Sequence, residues 1–399
     1  MPEDSVKHRP TGRPLVNIDM ALPPPTQSER EHHAALVHLI CEQAADGIDF
    51  AQYMELALYA PRLGYYRGGA QKFGLDGDFI TAAELSPLFA RCLAKQVQQI
   101  LAHLDGGDVL EVGAGSGALA VELLRELELL DSLPRRYLIL ELSADLRQRQ
   151  TALIQRTLPH LQARVEWLQT FPRIPLRGVI FANELLDAMP VSRFRLSEHG
   201  IEQLYVVCED GGFKWRARPA SETVRQRVQT LALPVPYISE INFAAEAWVR
   251  SVAEHLEAGV LLLIDYGFPR AEFYHPQRDQ GTLMCHYRHR AHEDPLILTG
   301  LQDITAHIDF TAIAEAGFDA GLSVLGYTSQ AAFLLASGLS ELADAAAAHT
   351  VREHMDLARQ INTLTSPAEM GELYKVIAFG RDIDLDLRGF SLNDRRGRL

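Results

Sequence analysis

Three glycines at alternate positions, Gly113, Gly115 and Gly117, stand between two carboxylates, Glu111 and Glu141, that suit a shared ligand. Alternating glycines allow a tight turn and let a ligand approach the backbone closely. The amphipathic segment that follows reads as a helix. Its first turn points free N–H groups and the positive end of its dipole at whatever occupies the glycine turn. Glu141 closes the next apolar run, Arg136–Glu141, where a carboxylate can take both hydroxyls of a ribose. The chemistry these residues suit is the binding of a ribose-bearing small molecule. A dinucleotide fingerprint needs G-x-G-x-x-G, and its third glycine position is Ala118 in this chain. A nicotinamide-type cofactor and a tight βα turn without a ligand are the competing interpretations.

An acidic residue followed by x-G-x-G-x-G after a strand, with a second acidic strand in register, resembles class I S-adenosyl-L-methionine (SAM) methyltransferases. The resemblance implies SAM as cofactor, with Gly113, Gly115 and Gly117 forming its loop. Glu111 then either orients the loop through its N–H groups or touches the ligand, and Glu141 holds the ribose. Trp167 either lies against the adenine or belongs to the core. In such enzymes the acceptor groups follow the fourth strand, here Gly178–Ala182, which runs into Asn183, Glu184 and Asp187. Two carboxylates there suit a cationic acceptor such as a guanidinium, held by charge-assisted bidentate hydrogen bonds. Capping of a helix start is the plainer alternative. Asp265 and Tyr266 end the fifth strand at the same rim, and Asp265 is expected either in the acceptor site or in a loop turn.

The elements that must position these residues divide the chain. Residues 1–28 read as a leader ended by Pro23-Pro24-Pro25. Residues 29–105 read as a helical cap, with a first helix capped by Ser28, a second from Phe50 to Tyr59 stopped before Pro61, and a third opened by Pro87. From Asp108 strands alternate with helices, so 106–190 and 257–385 read as a doubly wound Rossmann-like α/β core. Between them, 191–256 alternates in a two-residue period broken by Gly200 and Gly211-Gly212, the pattern of an inserted β-rich substrate lobe. Cys285, His286, His289 and His292 lie in a polar stretch before Asp303. Their spacing matches no zinc motif and Arg288 and Arg290 interleave, so a flexible substrate loop is expected there and no metal.

Composition narrows the classes. The chain has 399 residues, 47% of them hydrophobic, which is ordinary for a packed protein of about two to three domains or one α/β domain with insertions. A net charge of −14 argues against a nucleic-acid surface. Cys41, Cys92, Cys208 and Cys285 form no C-x-x-C pair, which argues against a disulfide framework and fits a reducing compartment. No apolar run approaches the roughly 18 residues of a membrane span. Glu3 and Asp4 disfavour a transit peptide. The expected location is the cytoplasm.

Several segments, in order along roughly residues 50 to 380, together resemble the MidA family, relatives of a mitochondrial complex I assembly factor that is a protein arginine methyltransferase. They are Gly77-Asp-Phe-Ile-Thr81 with Glu84-Leu-Ser86, the glycine loop, Asn183-Glu-Leu-Leu-Asp-Ala-Met-Pro190 and Ile264-Asp-Tyr-Gly267. Gly281-Thr-Leu, Gly300-Leu-Gln-Asp-Ile-Thr305 leading to His307-Ile-Asp-Phe310, and Pro367–Lys375 complete the set. One departure is Ala83, where the family pattern usually has proline. The resemblance implies a class I methyltransferase, and a leader that does not look mitochondrial makes a bacterial member the expectation. Asp78, Thr81 and Asn183 join the cofactor site, and Glu184, Asp187, Asp265 and Tyr266 carry catalysis. The implied partner is a protein, a respiratory complex I subunit in the mitochondrial branch, methylated on arginine. A small-molecule acceptor, or a SAM-binding assembly factor without catalysis, is the alternative.

Overall fold

Strands that are apolar along their whole length must be covered on both faces. Such strands form the middle of an eight-stranded central sheet. Seven of its strands lie in one row: β1 (Asp108–Val112), β2 (Tyr137–Leu140), β3 (Val165–Leu168), β4 (Leu176–Asn183), β5 (Leu256–Phe268), β6 (Ser323–Ser329) and β7 (Tyr374–Arg381). The eighth, Ile308–Asp309, pairs with the end of β5. The computed structural model describes residues 22–44, 46–68, 82–346 and 350–399. The strand order is β6-β7-β5-β4-β1-β2-β3. Strands β1 to β5 run parallel, and β7 runs antiparallel to both β5 and β6. The chain steps from β1 outward to β3, then returns to β4 on the other side of β1. This reversal opens a crevice at the carboxyl ends of β1 and β4, where doubly wound sheets bind their ligands.

Alternate residues of each strand feed the two layers. Val109, Phe181 and Leu262 face the helices Pro87–His103 and Ala118–Leu129. Leu110, Ile180 and Leu261 face Phe243–Ala253 and Phe310–Asp319. The helix Phe243–Ala253 therefore packs on the core, while Phe243 and Glu246 tie its first turn to the lobe before it. That lobe is an antiparallel sheet of Ser192–Ser197, Gly200–Glu209, Gly212–Pro219 and Tyr237–Ile241, joined at its edge by Ile48–Asp49. The N-terminal helices cover it through Phe50, Tyr53 and Met54, which bury against Val191 and Val206.

Three expectations are corrected. The first helix spans Gln27–Gln43 and is capped by Thr26, not Ser28. Glu29 sits three residues after Thr26 and returns a bond to its N–H at 2.6 Å, completing a capping box two residues before the equivalent spacing of Ser28 and Glu31. The His-rich stretch is ordered. Met284–Tyr287 pairs with both Arg290–His292 and Asp303–Thr305. Its two-residue turn places Arg288 and His289 at φ of 49° and 59°, without the Asn-Gly signal that usually marks such a turn. Cys41 and Cys208 are joined in a disulfide with Cα atoms 5.4 Å apart, across 167 residues of sequence. Scattered spacing hid this pair, because it forms only when the first helix docks on the lobe. Cysteine usage therefore no longer argues for a reducing compartment. Among the described residues no helix is long and apolar enough to cross a membrane.

Candidate active site

The crevice holds a cavity of about 660 Å³. Its first wall is the end of β1 and the glycine turn. Gly113, Gly115 and Gly117 all have positive φ, at 73°, 54° and 83°. Gly113 and Gly115 line the cavity, whereas Gly117 caps the helix Ala118–Leu129 from outside it. Glu111 lines the cavity too, 2% exposed, and accepts from the Tyr137 hydroxyl at 2.6 Å. Burial pushes its carboxyl up to about 7, against the pull of that bond. Its recorded partner is thus a neighbouring strand, not the loop N–H groups.

The second wall is the end of β2. Glu141 accepts from Ser143 N–H at 2.8 Å and from Gln150 Nε2 at 3.1 Å. Gln150 also donates to the Gly115 carbonyl at 2.9 Å and accepts from Trp167 Nε1 at 3.0 Å. Gln150 therefore locks the carboxylate and the glycine turn into one frame. Trp167 serves this frame and packs on the core; it does not line the cavity. No sequence signal marked Gln150.

The third wall follows β4. Glu184 has φ of +50°, a left-handed backbone that a non-glycine residue rarely adopts, and its N–H bonds the Ile264 carbonyl of β5 at 2.9 Å. Glu184 Oε1 accepts from Asn183 Nδ2 at 3.1 Å and Ala82 N–H at 3.3 Å, and Oε2 from the Tyr374 hydroxyl at 3.2 Å. Burial, reinforced by the charge of Asp187, pushes its carboxyl up to about 8. Asp187 Oδ2 accepts from the Tyr266 hydroxyl at 2.6 Å, and burial pushes this carboxyl up to about 6. Asp187 Oδ1 and Asn183 Oδ1 are buried acceptors without a partner. Such atoms want donors that a ligand can bring.

Asp265 does not reach the cavity. It lies behind the third wall, 1% exposed, with its carboxylate turned to backbone N–H groups. Asp78 and Thr81 lie outside the described residues. The structure adds lining residues that sequence reasoning did not name as site residues: Tyr59, Tyr66, His286, Asp303, His307 and Tyr374. Tyr374, Asp303 and His307 fall inside segments already quoted, so a signal existed without a role. His286 comes from the ordered hairpin, and burial pushes its imidazole down to about 4, so it is neutral. Among the described residues no group of three or more His, Cys, Asp or Glu is arranged to hold a metal ion.

The lining has a marked sign. Eight carboxylates face the cavity, from Glu55, Glu84, Glu111, Glu141, Glu184, Asp187, Asp303 and Glu369, and among the described residues Arg67 is the one arginine or lysine there. A nucleoside with a cationic, amine-bearing arm fits this lining, with acceptors for its hydroxyl and amine donors on two walls.

Comparison with known proteins agrees with the geometry. The model of an S-adenosyl-L-methionine-dependent methyltransferase family matches residues 92–328. A Burkholderia thailandensis methyl transferase superfamily member, solved bound to S-adenosyl-homocysteine, is 45% identical; the match covers 95% of this chain and 100% of that one, with a TM-score of 0.92. The mitochondrial protein arginine methyltransferase NDUFAF7 of Danio rerio is 28% identical over 85% of each chain. Its Drosophila melanogaster homologue is 25% identical over 92% of this chain and 90% of that one. The chain belongs to this family of S-adenosyl-L-methionine-dependent methyltransferases.

Proposed function

We propose that the chain transfers the methyl group of SAM to a guanidinium nitrogen of a protein arginine. The observation that carries this is the third wall: two carboxylates, the half-buried Glu184 and the buried Asp187, at the switch point, with Asp187 Oδ1 unpartnered. Guanidinium is the side chain whose planar fork and permanent charge suit such a pair. The names of the mitochondrial relatives point the same way.

When bound, SAM supplies a methyl group on a sulfonium, which departs in line as a neutral thioether. Gly113, Gly115 and Glu141 hold the nucleoside end, with Gln150 keeping the turn and the carboxylate in place. Asn183 Oδ1 accepts from a ligand donor beside them. Tyr266 and Tyr374 each fix one carboxylate oxygen, and Asp187 Oδ1 is left to accept from the guanidinium. Methylation of a charged guanidinium must release one proton. Glu184, with a carboxyl raised to about 8, has the affinity to hold it. The partner we propose to try first is a respiratory complex I subunit.

The charge states set a pH dependence. In the free enzyme both carboxyls are raised, so at pH 7 Glu184 is largely protonated. A guanidinium stays charged throughout and binds the anions. Therefore kcat/KM for an arginine peptide rises with pH through the window from about 6 to about 8 and levels off above it. Stability of the free protein runs the other way. A raised carboxyl stabilises the fold while protonated, and that contribution is lost as pH rises through about 8. A flat rate profile between pH 6 and 9 contradicts the role given to these carboxylates.

The direct test is incubation with methyl-labelled SAM and matched arginine, lysine and alanine peptides, then complex I subunits, read by mass spectrometry. Label on arginine supports the reading. Label on lysine alone, label only in the small-molecule fraction of an extract, or SAM binding without turnover of any acceptor overturns it.

A further inference from the structure

Asp265 is a residue whose position in sequence and position in space disagree. It lies near the end of β5 at the acceptor rim, beside Tyr266 and three residues before the strand ends, yet its side chain turns away from the cavity. Its Oδ2 accepts from Leu186 N–H at 2.9 Å and Asp187 N–H at 3.2 Å, and its Oδ1 from Tyr266 N–H at 2.9 Å. Three backbone donors converge on one buried carboxylate, and two of them belong to the turn that presents Glu184 and Asp187.

That turn is pinned from every side. Glu184 N–H bonds the Ile264 carbonyl at 2.9 Å, and Ala306 N–H bonds the Asp187 carbonyl at 3.0 Å. Asn242 Nδ2 bonds the Leu186 carbonyl at 3.0 Å. Within this frame Glu184 holds a left-handed backbone at φ of +50°, which costs roughly 1–2 kcal/mol for a residue with a side chain. Strain of this kind persists only where the surroundings over-determine it. Asp265 is the one acid in that frame, and it is 1% exposed.

We infer that Asp265 is a positioning residue of methyl transfer, which holds Glu184 and Asp187 side by side against the acceptor without touching the acceptor itself. The inference rests on the arginine reading, in which those two carboxylates receive the guanidinium. Burial raises the Asp265 carboxyl well above its usual range, with the charges of Asp187 and Glu184 adding to it, against the pull of its backbone hydrogen bonds.

The test is Asp265→Asn, which keeps the shape but replaces one acceptor oxygen by an amine facing N–H donors. The expected result is a kcat on the arginine peptide lowered about 100-fold, the cost of a small misplacement of reacting groups. S-adenosyl-homocysteine affinity and the KM for the peptide stay within about threefold, so the loss falls on kcat. Asn242→Asp is the second variant. It keeps the acceptor oxygen that caps Ala245 N–H but loses the bond to Leu186, and is expected to lower kcat about tenfold with cofactor affinity unchanged. It carries the test if Asp265→Asn does not fold. A rate that falls only in step with the fraction able to bind S-adenosyl-homocysteine overturns the inference. So does a wild-type kcat in Asn242→Asp. A wild-type chain that methylates no arginine peptide removes the arginine reading and this inference together; an active wild type with an unchanged kcat per cofactor-binding molecule in Asp265→Asn removes this inference alone.

Discussion

Glu184→Gln is expected to lower methyl transfer to an arginine peptide by about 10³-fold while leaving SAM affinity within about threefold. The amide matches the carboxyl in size, so the third wall keeps its shape. What changes is the charge beside a guanidinium in a half-buried site. Removing one partner of a buried charge pair costs about 3–5 kcal/mol, because the other charge is left without compensation. The proton released on transfer also loses its acceptor. Glu184 already bonds Asn183, Ala82 and Tyr374, and these contacts ensure that the lost charge is felt at one fixed place. The rate profile supplies an internal check, since the limb near pH 8 belongs to this carboxyl and vanishes with it. A variant that transfers methyl groups at the wild-type rate removes Glu184 from the acceptor site. A variant that instead loses SAM, measured by calorimetric titration, moves Glu184 to the cofactor.

The central sheet was legible because its signals are local. Val-Leu and Ile-Leu runs with no polar alternation mark buried parallel strands, and β1 spans Asp108–Val112 as the pattern predicts. The helix Phe50–Tyr59 likewise has the predicted bounds, set by the Asp49 cap and by Pro61. The features that escaped are long-range. The Cys41–Cys208 disulfide depends on the docking of one lobe edge. The hairpin after Met284 turns on Arg288 and His289, residues that no turn rule favours. The same divide runs through the site. Gly113, Gly115, Glu141 and Glu184 announce themselves by strand ends and spacing. Gln150 and Tyr374 arrive from a helix flank and from the last strand, and only the folded chain brings the one against the glycine turn and the other to the cavity. Asp265 is the instructive case, because sequence places a residue at a rim but not the direction in which its side chain turns.

Gly115→Val is expected to weaken SAM binding by 100-fold or more while the chain still folds. Gly115 lines the cavity with φ of +54°, and its carbonyl accepts from Gln150 at 2.9 Å. A β-branched residue pays about 1–2 kcal/mol or more to hold that backbone. If the backbone relaxes to avoid this cost, the carbonyl leaves Gln150, and Gln150 no longer steadies Glu141. If it does not relax, the side chain stands where the ligand must approach the backbone. Either route damages two walls of the cavity at once. The stability cost alone lowers the melting temperature of a chain of this size by only a few degrees. Calorimetric titration with SAM and, separately, with NADH separates the possibilities, with circular dichroism as the check on folding. SAM binding in the wild type that disappears in a folded Gly115→Val chain places the cofactor on this turn. Undiminished SAM binding in the variant means that the glycine turn is a structural βα connection in this chain. The ligand would then have to be held by the second and third walls alone, where Glu141, Asn183 and Asp187 provide its acceptors.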